Sequence, residues 1–231
     1  PPGGGRVARY AVGRDYHNVL GKMLRRLSRR LEREGLGGGQ RAIVDAGPLM
    51  ERSHAEEAGV GFASLFTFVQ PYALDLGANR VSGFFLGYTA TAVGVRIFFG
   101  DLGDRIGLAR VGMDAIALYG VPIALSADLQ LSWLPWIGAI FGLAHGALFP
   151  TLNAFIVEPV SKNERAKVLA LFMASFNAGW SIGSVILGVI AEVAGYPTVF
   201  WTATAAVGAA ALLFLSSAEV RRAIAKGPSS A

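Results

Sequence analysis

The chain has 231 residues, of which 53% are hydrophobic and 16% are charged, and it carries 30 glycines and no cysteine. A soluble domain usually has about 25% charged residues, so this composition favours a protein embedded in a membrane. The lack of cysteine excludes disulfides, thiolate zinc sites, iron–sulfur clusters and cysteine nucleophiles within these 231 residues.

The positive charge is concentrated in the first quarter of the chain. The net charge is +5; residues 1–62 hold eleven Lys or Arg against seven Asp or Glu, whereas the remainder holds ten against nine. We therefore predict two parts of different kind that meet near Phe62. A basic segment covers residues 1–61, an apolar domain covers 62–218, and a tail covers 219–231.

The basic segment contains a predicted amphipathic helix. In DYHNVLGKMLRRLSRRLERE, residues 15–34, apolar side chains share one face and arginines occupy most of the rest. Such a helix can lie on an anionic membrane surface or bind nucleic acid. A glycine-rich break, GLGGGQ, follows, and RAIVDAGPLMERSHAEEAGVGF then predicts a short apolar run, a turn and a helix.

Two ordered motifs in this segment, ARYAVGRDYHNVLGKMLRRL and VDAGPLMERSHAEEAGVGF, resemble the N-terminal region of the epoxyqueuosine reductase family over about residues 6–62. The resemblance implies a small α/β segment, complete or not, of a cobalamin and iron–sulfur enzyme of tRNA modification, with Asp45 matching the proposed proton donor. After Phe62, the family's Gly-Lys-Asn segment and cysteine clusters are replaced by ASLFTFVQ. Because no cysteine can hold an electron-transfer cluster, we expect no catalytic residue, no cofactor, no metal and no nucleic-acid partner.

Six apolar runs follow in the second part of the chain. A bilayer core of about 30 Å needs about 20 helical residues, and helices of a buried soluble bundle, the alternative, would show a polar face that these runs largely lack. The first run is the weakest because Gln70 and Pro71 interrupt it. We predict an all-α membrane protein with six transmembrane helices, at about Val60–Leu76, Val81–Phe99, Val111–Ala127, Leu131–Val157, Val168–Ala194 and Thr198–Ser217.

Basic residues in the loops predict the orientation of these helices. One set of loops and the tail carry eight Lys or Arg, and the opposite loops carry only Arg80. By the positive-inside rule, both termini are expected in the cytoplasm, in a multi-pass protein of a bacterial inner membrane. The eight residues are Arg105, Arg110, Lys162, Arg165, Lys167, Arg221, Arg222 and Lys226.

Small residues at regular spacing predict where the helices contact one another. Glycines every fourth residue on a membrane helix let two backbones approach closely. Three helices carry such pairs or triplets, namely Gly83 and Gly87; Gly138, Gly142 and Gly146; and Gly179 and Gly183.

A charged loop, FFGDLGDRIGLAR, separates the second and third runs. Its pattern G-x-L-x-D-R-x-G-x-x-R resembles the loop signature of the major facilitator superfamily of transporters. GLAHGALFPTLNAF is similar to the tenth helix of that family, and RAKVLALFMASFNAGWSIGSVILGVIAEVAGYPTVFW is similar to its eleventh helix and the start of its twelfth. The resemblance covers about residues 62–217 and implies the C-terminal half of a facilitator, helices seven to twelve.

The resemblance also implies a mechanism. Facilitators bind a small molecule between two six-helix halves and move it by alternating access, so this chain is expected to need an N-terminal half or a second copy. The loop is expected to latch one half against the other; the alternative is a solvated loop that only orients the helices. The loop residues are Arg96, Gly100, Asp104, Arg105, Gly107 and Arg110.

Polar residues inside the apolar runs are the candidate substrate-binding residues, because each is costly in lipid unless it faces a cavity or a partner. His145 can bind substrate or carry a proton, since imidazole changes charge near neutral pH; the alternative is a neutral histidine bonded to a neighbouring helix. The candidates are Gln70, Tyr88, His145, Asn153 and Asn177.

Three functional hypotheses follow. The first is a half of a secondary transporter in the lipid bilayer, with a small-molecule substrate. The second is a vestigial reductase fragment of tRNA modification that is anchored in a membrane. The third is a non-functional product of gene fusion.

Overall fold

A computed structural model describes residues 55–98, 106–158 and 160–216 of the chain. Residues 1–54 of the predicted α/β segment, which include Asp45, lie outside these ranges, as do the tail and the loop residues Gly100, Asp104 and Arg105. The described residues form six α-helices and no strand. The helices are α1 (Ala55–Asp75), α2 (Ser82–Phe98), α3 (Leu108–Leu125), α4 (Leu134–Val157), α5 (Arg165–Ala194) and α6 (Tyr196–Ser216), and a short 3-10 helix, Leu131–Trp133, precedes α4.

Each helix contains most of one predicted apolar run. The first run is continuous, because α1 passes through Gln70 and Pro71 without a break. The proline removes one backbone donor, but Val69 and Tyr72 on either side are buried in the core. The all-helical fold of the described part of the chain therefore agrees with the prediction.

Length and hydropathy identify two helical stretches of the described chain as long and apolar enough to cross a membrane. They are Leu131–Val157 and Arg165–Ala194. By length and composition alone this is weak evidence, since the core helix of a soluble protein also meets these criteria. That all six helices cross the bilayer stays a prediction.

The helix α4 packs closely against α2. Glycines make this contact: a Cβ at Gly138 would meet the Phe84 backbone, and a Cβ at Gly142 would meet the Tyr88 carbonyl and the Thr91 hydroxyl. Because the backbones of the two helices lie this close, neither glycine position has room for a side chain. The two helices form one closely packed pair.

The helices α1 and α5 form a second pair of the same kind. Gly59 lies against the backbone of Phe176 and Trp180, and Gly179 lies against the backbone of Glu56. The helices α3 and α6 pack against each other and against the pairs, α3 on α4 and α6 on α1. The Tyr119 hydroxyl on α3 donates a hydrogen bond of 2.9 Å to the Ala58 carbonyl on α1 and so connects α3 to the second pair.

Candidate functional site

The candidate site is centred on His145, which lies halfway along α4. It is eleven residues from Leu134 and twelve from Val157, or about 17 Å from either end at 1.5 Å per residue. The side chain is only 7% exposed. The Asp, Glu, Lys and Arg residues of the described helices lie nearer the helix ends. His145 and the tyrosines packed around it are therefore the titratable side chains at the middle of the described bundle.

Aromatic rings from five helices surround the imidazole. Phe62 of α1 is nearest, with 5.0 Å between ring centroids, and Phe149 of α4 follows at 5.4 Å. The other rings have centroids at 5.9–6.3 Å. We call these six residues the aromatic cluster: Phe62, Tyr88, Tyr119, Phe141, Phe149 and Phe176.

Two further rings extend the aromatic cluster toward the surface of the bundle. Phe66 stacks on Phe62 at 4.2 Å with an interplanar angle of 11° and meets Tyr88 edge-on at 4.8 Å. Trp180 of α5 meets Phe62 edge-on at 5.0 Å. Phe66 is half-buried and Trp180 is 36% exposed, so this side of the aromatic cluster is open.

The imidazole has no hydrogen-bond partner. Within residues 55–98, 106–158 and 160–216, neither ring nitrogen of His145 is bonded to a protein group. Neither nitrogen is among the fully enclosed, unbonded side-chain atoms either, which are the Asn153 Oδ1 and the Thr204 Oγ1. The small exposed part of His145 therefore includes its polar atoms, which can hydrogen-bond a bound molecule.

The Tyr88 hydroxyl likewise has no hydrogen-bond partner in the described part of the chain and is not fully enclosed, whereas the Tyr119 hydroxyl is bonded to the Ala58 carbonyl. Tyr88 is half-buried, and its ring centroid lies 6.1 Å from that of His145. Of the five predicted substrate-binding residues, the structure brings these two together. A hydrogen bond from His145 to a neighbouring helix, the alternative interpretation, is not found in the described part of the chain.

The other three candidates lie outside the aromatic cluster. Gln70 is exposed on α1, on the same face as Phe66 four residues earlier. Asn177 is exposed on α5, and its amide nitrogen donates a hydrogen bond of 2.7 Å to the Met173 carbonyl of its own helix. Asn153 lies two turns from His145 along α4, with Phe149 between them.

Sequence reasoning selected Tyr88 of the aromatic cluster as a candidate but none of its other side chains, although their spacing carried a signal. Phe141, His145 and Phe149 recur every fourth residue on α4, and Phe62 and Phe66 do so on α1. Rings at this spacing lie on one face of a helix. That the faces of separate helices meet at one point requires the fold.

Three of the predicted loop residues are described. Arg96 is exposed in the last turn of α2, and Arg110 is exposed in the first turn of α3. Gly107 has φ +92°, which favours glycine, and no described atom lies within 4 Å of the place a Cβ would take. Gly107 therefore serves the turn into α3 through its backbone conformation.

The fold and the site together point to a class of protein. Close helix packing through glycine, with a polar residue buried among the helices, is typical of membrane proteins.

Comparison with known proteins gives the family. The sequence profile of the Major Facilitator Superfamily matches residues 58–230, and the chain belongs to this superfamily. A second profile, Epoxyqueuosine reductase QueG, DUF1730, matches residues 1–46. No solved structure matches the chain.

Curated relatives match the N-terminal part of the chain. The epoxyqueuosine reductase of Gloeobacter violaceus is 51% identical over 61 residues, which are 26% of this chain and 19% of that protein. The Pseudomonas aeruginosa enzyme is 42% identical over 83 residues, 35% of this chain and 21% of that protein. The Escherichia coli enzyme is 37% identical over 83 residues, which are 36% of this chain and 20% of that protein. The chain thus spans about a fifth of the length of these relatives.

Both predicted resemblances are confirmed by these matches. The chain joins a part similar to epoxyqueuosine reductases to a Major Facilitator Superfamily domain. Membership of the superfamily points to a transporter, which is not an enzyme.

Proposed function

We propose that the chain is one half of a secondary transporter, which moves a small molecule across a bacterial inner membrane by alternating access. Its superfamily supports transport, and one structural observation carries the proposal. The imidazole of His145, which has no hydrogen-bond partner among the described residues, lies halfway along α4, at the depth where such proteins bind their substrates. A polar side chain at this depth is costly unless it faces a cavity or a polar partner, which a bound ligand or ion can provide.

The open side of the site calls for a second six-helix unit. Gln70 and Asn177 are exposed on α1 and α5, and the exposed Thr67 hydroxyl lies 3.4 Å from that of Ser184 across these two helices. Polar side chains are disfavoured against lipid tails. We propose that this surface, with Trp180, faces a partner half or a second copy of the chain and that the substrate site lies between the two units.

Cysteine labelling tests this proposal without knowledge of the substrate, because the native sequence has no cysteine. With a cytoplasmic N-terminus, Gln70 lies toward the outer end of α1, and Asn177 lies nearer the inner end of α5. In a transporter, a membrane-impermeant maleimide should label Gln70→Cys from outside the cell and Asn177→Cys in inside-out vesicles. Conditions that increase one reaction should decrease the other.

Leu86→Cys provides the matched control. Leu86 is 70% exposed on α2 and is apolar, so a cysteine there faces lipid and should react from neither side. If Gln70→Cys and Asn177→Cys also resist the reagent from both sides, no aqueous path reaches the site and the transporter proposal fails.

The N-terminal match favours a second candidate, in which the first part of the chain is a vestigial reductase fragment. In that case the membrane domain anchors the fragment, or the joined chain is a non-functional fusion product. Both of these alternatives predict no reciprocal labelling of the two cysteines.

A further inference from the structure

The side chains around His145 indicate what kind of molecule the site accepts. The groups that line its open side are mainly aromatic: Phe66, Tyr88 and Phe149 are half-buried, and Trp180 is 36% exposed. Aromatic rings prefer edge-to-face or offset partners with centroids 4.5–7 Å apart. A flat ring that packs on the exposed part of Phe66 or Trp180 finds such a partner.

The charges of the bundle limit the choice further. In the described helices, each Asp, Glu, Lys or Arg lies within about two turns of a helix end, and α4 contains none. The positive charge of Arg96, in the last turn of α2, acts on both His145 and Tyr88. A cationic ligand group at this depth would therefore be repelled and unpaired, and burying an unpaired charge is costly. The part of the ligand that reaches this depth carries no positive charge.

The polar atoms at the site are few and specific. The His145 ring nitrogens and the Tyr88 hydroxyl have no partner within the described chain, and none of these atoms is fully enclosed. Imidazole both donates and accepts hydrogen bonds, as does a phenol. A hydroxyl, carbonyl or ring nitrogen at the edge of a flat ligand can satisfy them.

We infer that His145, with Phe66, Tyr88, Phe149 and Trp180, binds a flat aromatic group that carries no positive charge and that the imidazole hydrogen-bonds a polar atom on the edge of that group. This inference rests on the proposed transporter function and specifies the class of its substrate. It assigns shape recognition to the rings and recognition of the polar edge to His145.

The test uses the purified full chain in lipid nanodiscs and calorimetric titration, with empty nanodiscs as the background. Naphthol is the probe, because it is flat and carries one edge hydroxyl. Its saturated analogue decalol lacks the flat ring, naphthalene lacks the hydroxyl, and naphthyl trimethylammonium carries a positive charge. Naphthol should bind about tenfold more tightly than each of the three.

Variants separate the role of His145 from that of the rings. His145→Leu should weaken naphthol binding about tenfold, which is the loss of one hydrogen bond, and should leave naphthalene binding unchanged. His145→Gln keeps a hydrogen-bonding group and should retain affinity within about threefold, with size-exclusion chromatography to verify folding. Trp180→Leu should weaken both naphthol and naphthalene.

Trp136→Leu is the matched control on α4, because Trp136 is 71% exposed and is not part of the aromatic cluster; its naphthol affinity should equal that of the wild type. Equal binding of naphthol and decalol, tighter binding of the cationic probe, or an unchanged affinity in a folded His145→Leu variant would each overturn the inference. Reciprocal cysteine labelling without naphthol binding would reject this substrate class and leave the transporter proposal in place. Naphthol binding without reciprocal labelling would reject the transporter proposal and leave this class of ligand in place.

Discussion

The hydroxyl oxygen of Thr91 on α2 lies 2.8 Å from the carbonyl oxygen of Ala139 on α4, and 2.9 Å from the Gly87 carbonyl oxygen of its own helix. One hydroxyl hydrogen is therefore shared between an interhelical and an intrahelical acceptor. The contact is possible because Gly142 leaves room for the Thr91 side chain against α4. Hydrogen bonding and close glycine packing thus hold α2 and α4 together at the same level.

Removal of the Thr91 hydroxyl should weaken this pair slightly. Hydrogen bonds between membrane helices contribute about 0.6 kcal/mol on average, so Thr91→Val should lower the free energy of unfolding by about 0.5–1 kcal/mol. Thr91→Ser keeps the hydroxyl and should lose less. Unfolding in mixed detergent micelles measures both variants. A loss in Thr91→Ser with no loss in Thr91→Val would show that the methyl group, and not the hydrogen bond, matters.

Addition of a single methyl group at Gly142 should cost more. The new Cβ would meet the Tyr88 carbonyl and the Thr91 hydroxyl, and overpacking of this kind costs about 1–3 kcal/mol. Gly142→Ala should therefore destabilise the purified protein by about that amount. Gly208→Ala on α6 is the control, since no described atom lies within 4 Å of its Cβ position. If both variants lose the same stability, close packing at Gly142 does not explain the effect.

The helices could be predicted well from the sequence. In an apolar run long enough to span a bilayer, the backbone groups must form hydrogen bonds within the segment, and a helix does this. The ends were less predictable. The helix α1 begins at Ala55, five residues before the apolar run at Val60, and α5 begins at Arg165, three before Val168. Hydropathy detects the apolar part of a helix, whereas its hydrogen bonding continues into polar first turns.

The candidate site could be predicted only in part. An isolated polar residue in an apolar run is visible in the sequence, and His145 and Tyr88 were identified in this way. The same criterion selected Asn177, whose amide bonds its own helix. This criterion could not select Phe62, Phe176 and Trp180, because phenylalanine and tryptophan are ordinary components of apolar helices. Their proximity to His145 depends on the packing of α1 and α5.

Orientation of the helices gives a third prediction. Eight basic residues lie in one set of loops and the tail, whereas the opposite loops contain only Arg80. Reporters fused after Ala78 and after Gln130 should therefore be active outside the cytoplasm. Reporters after Arg110 and after Lys226 should be active inside. A cytoplasmic signal after Ala78 would mean that α1 does not cross the membrane.

The N-terminal part of the chain gives a fourth prediction. It resembles epoxyqueuosine reductases, but the 231 residues contain no cysteine to hold an iron–sulfur cluster. The purified chain should contain no iron by elemental analysis and should not reduce epoxyqueuosine in tRNA. The Escherichia coli enzyme, 37% identical over 83 residues, serves as the positive control. Turnover by the chain alone would show that the reductase part is active.

The fifth prediction concerns Asp104 in the charged loop between α2 and α3. Acidic residues contribute little to orientation, so a loop that only orients the helices has no use for this carboxylate. In a latch, Asp104 would bond an arginine or a helix end of the second six-helix unit on the cytoplasmic side. A charge-assisted hydrogen bond of this kind contributes about 1.5–3 kcal/mol.

Asp104→Asn should therefore favour the state that is open to the cytoplasm while it leaves insertion and topology intact. We expect Asn177→Cys to react faster in inside-out vesicles and Gln70→Cys to react more slowly from outside, with a change of about tenfold in their ratio. The change should appear only when the second six-helix unit is present, because the partner surface belongs to that unit. Asp114→Asn is the control, since Asp114 is an exposed carboxylate on α3, the helix that follows the loop. Equal ratios for Asp104→Asn, Asp114→Asn and the wild type, at equal abundance in the membrane, would show that the loop orients the helices and does not latch the two units.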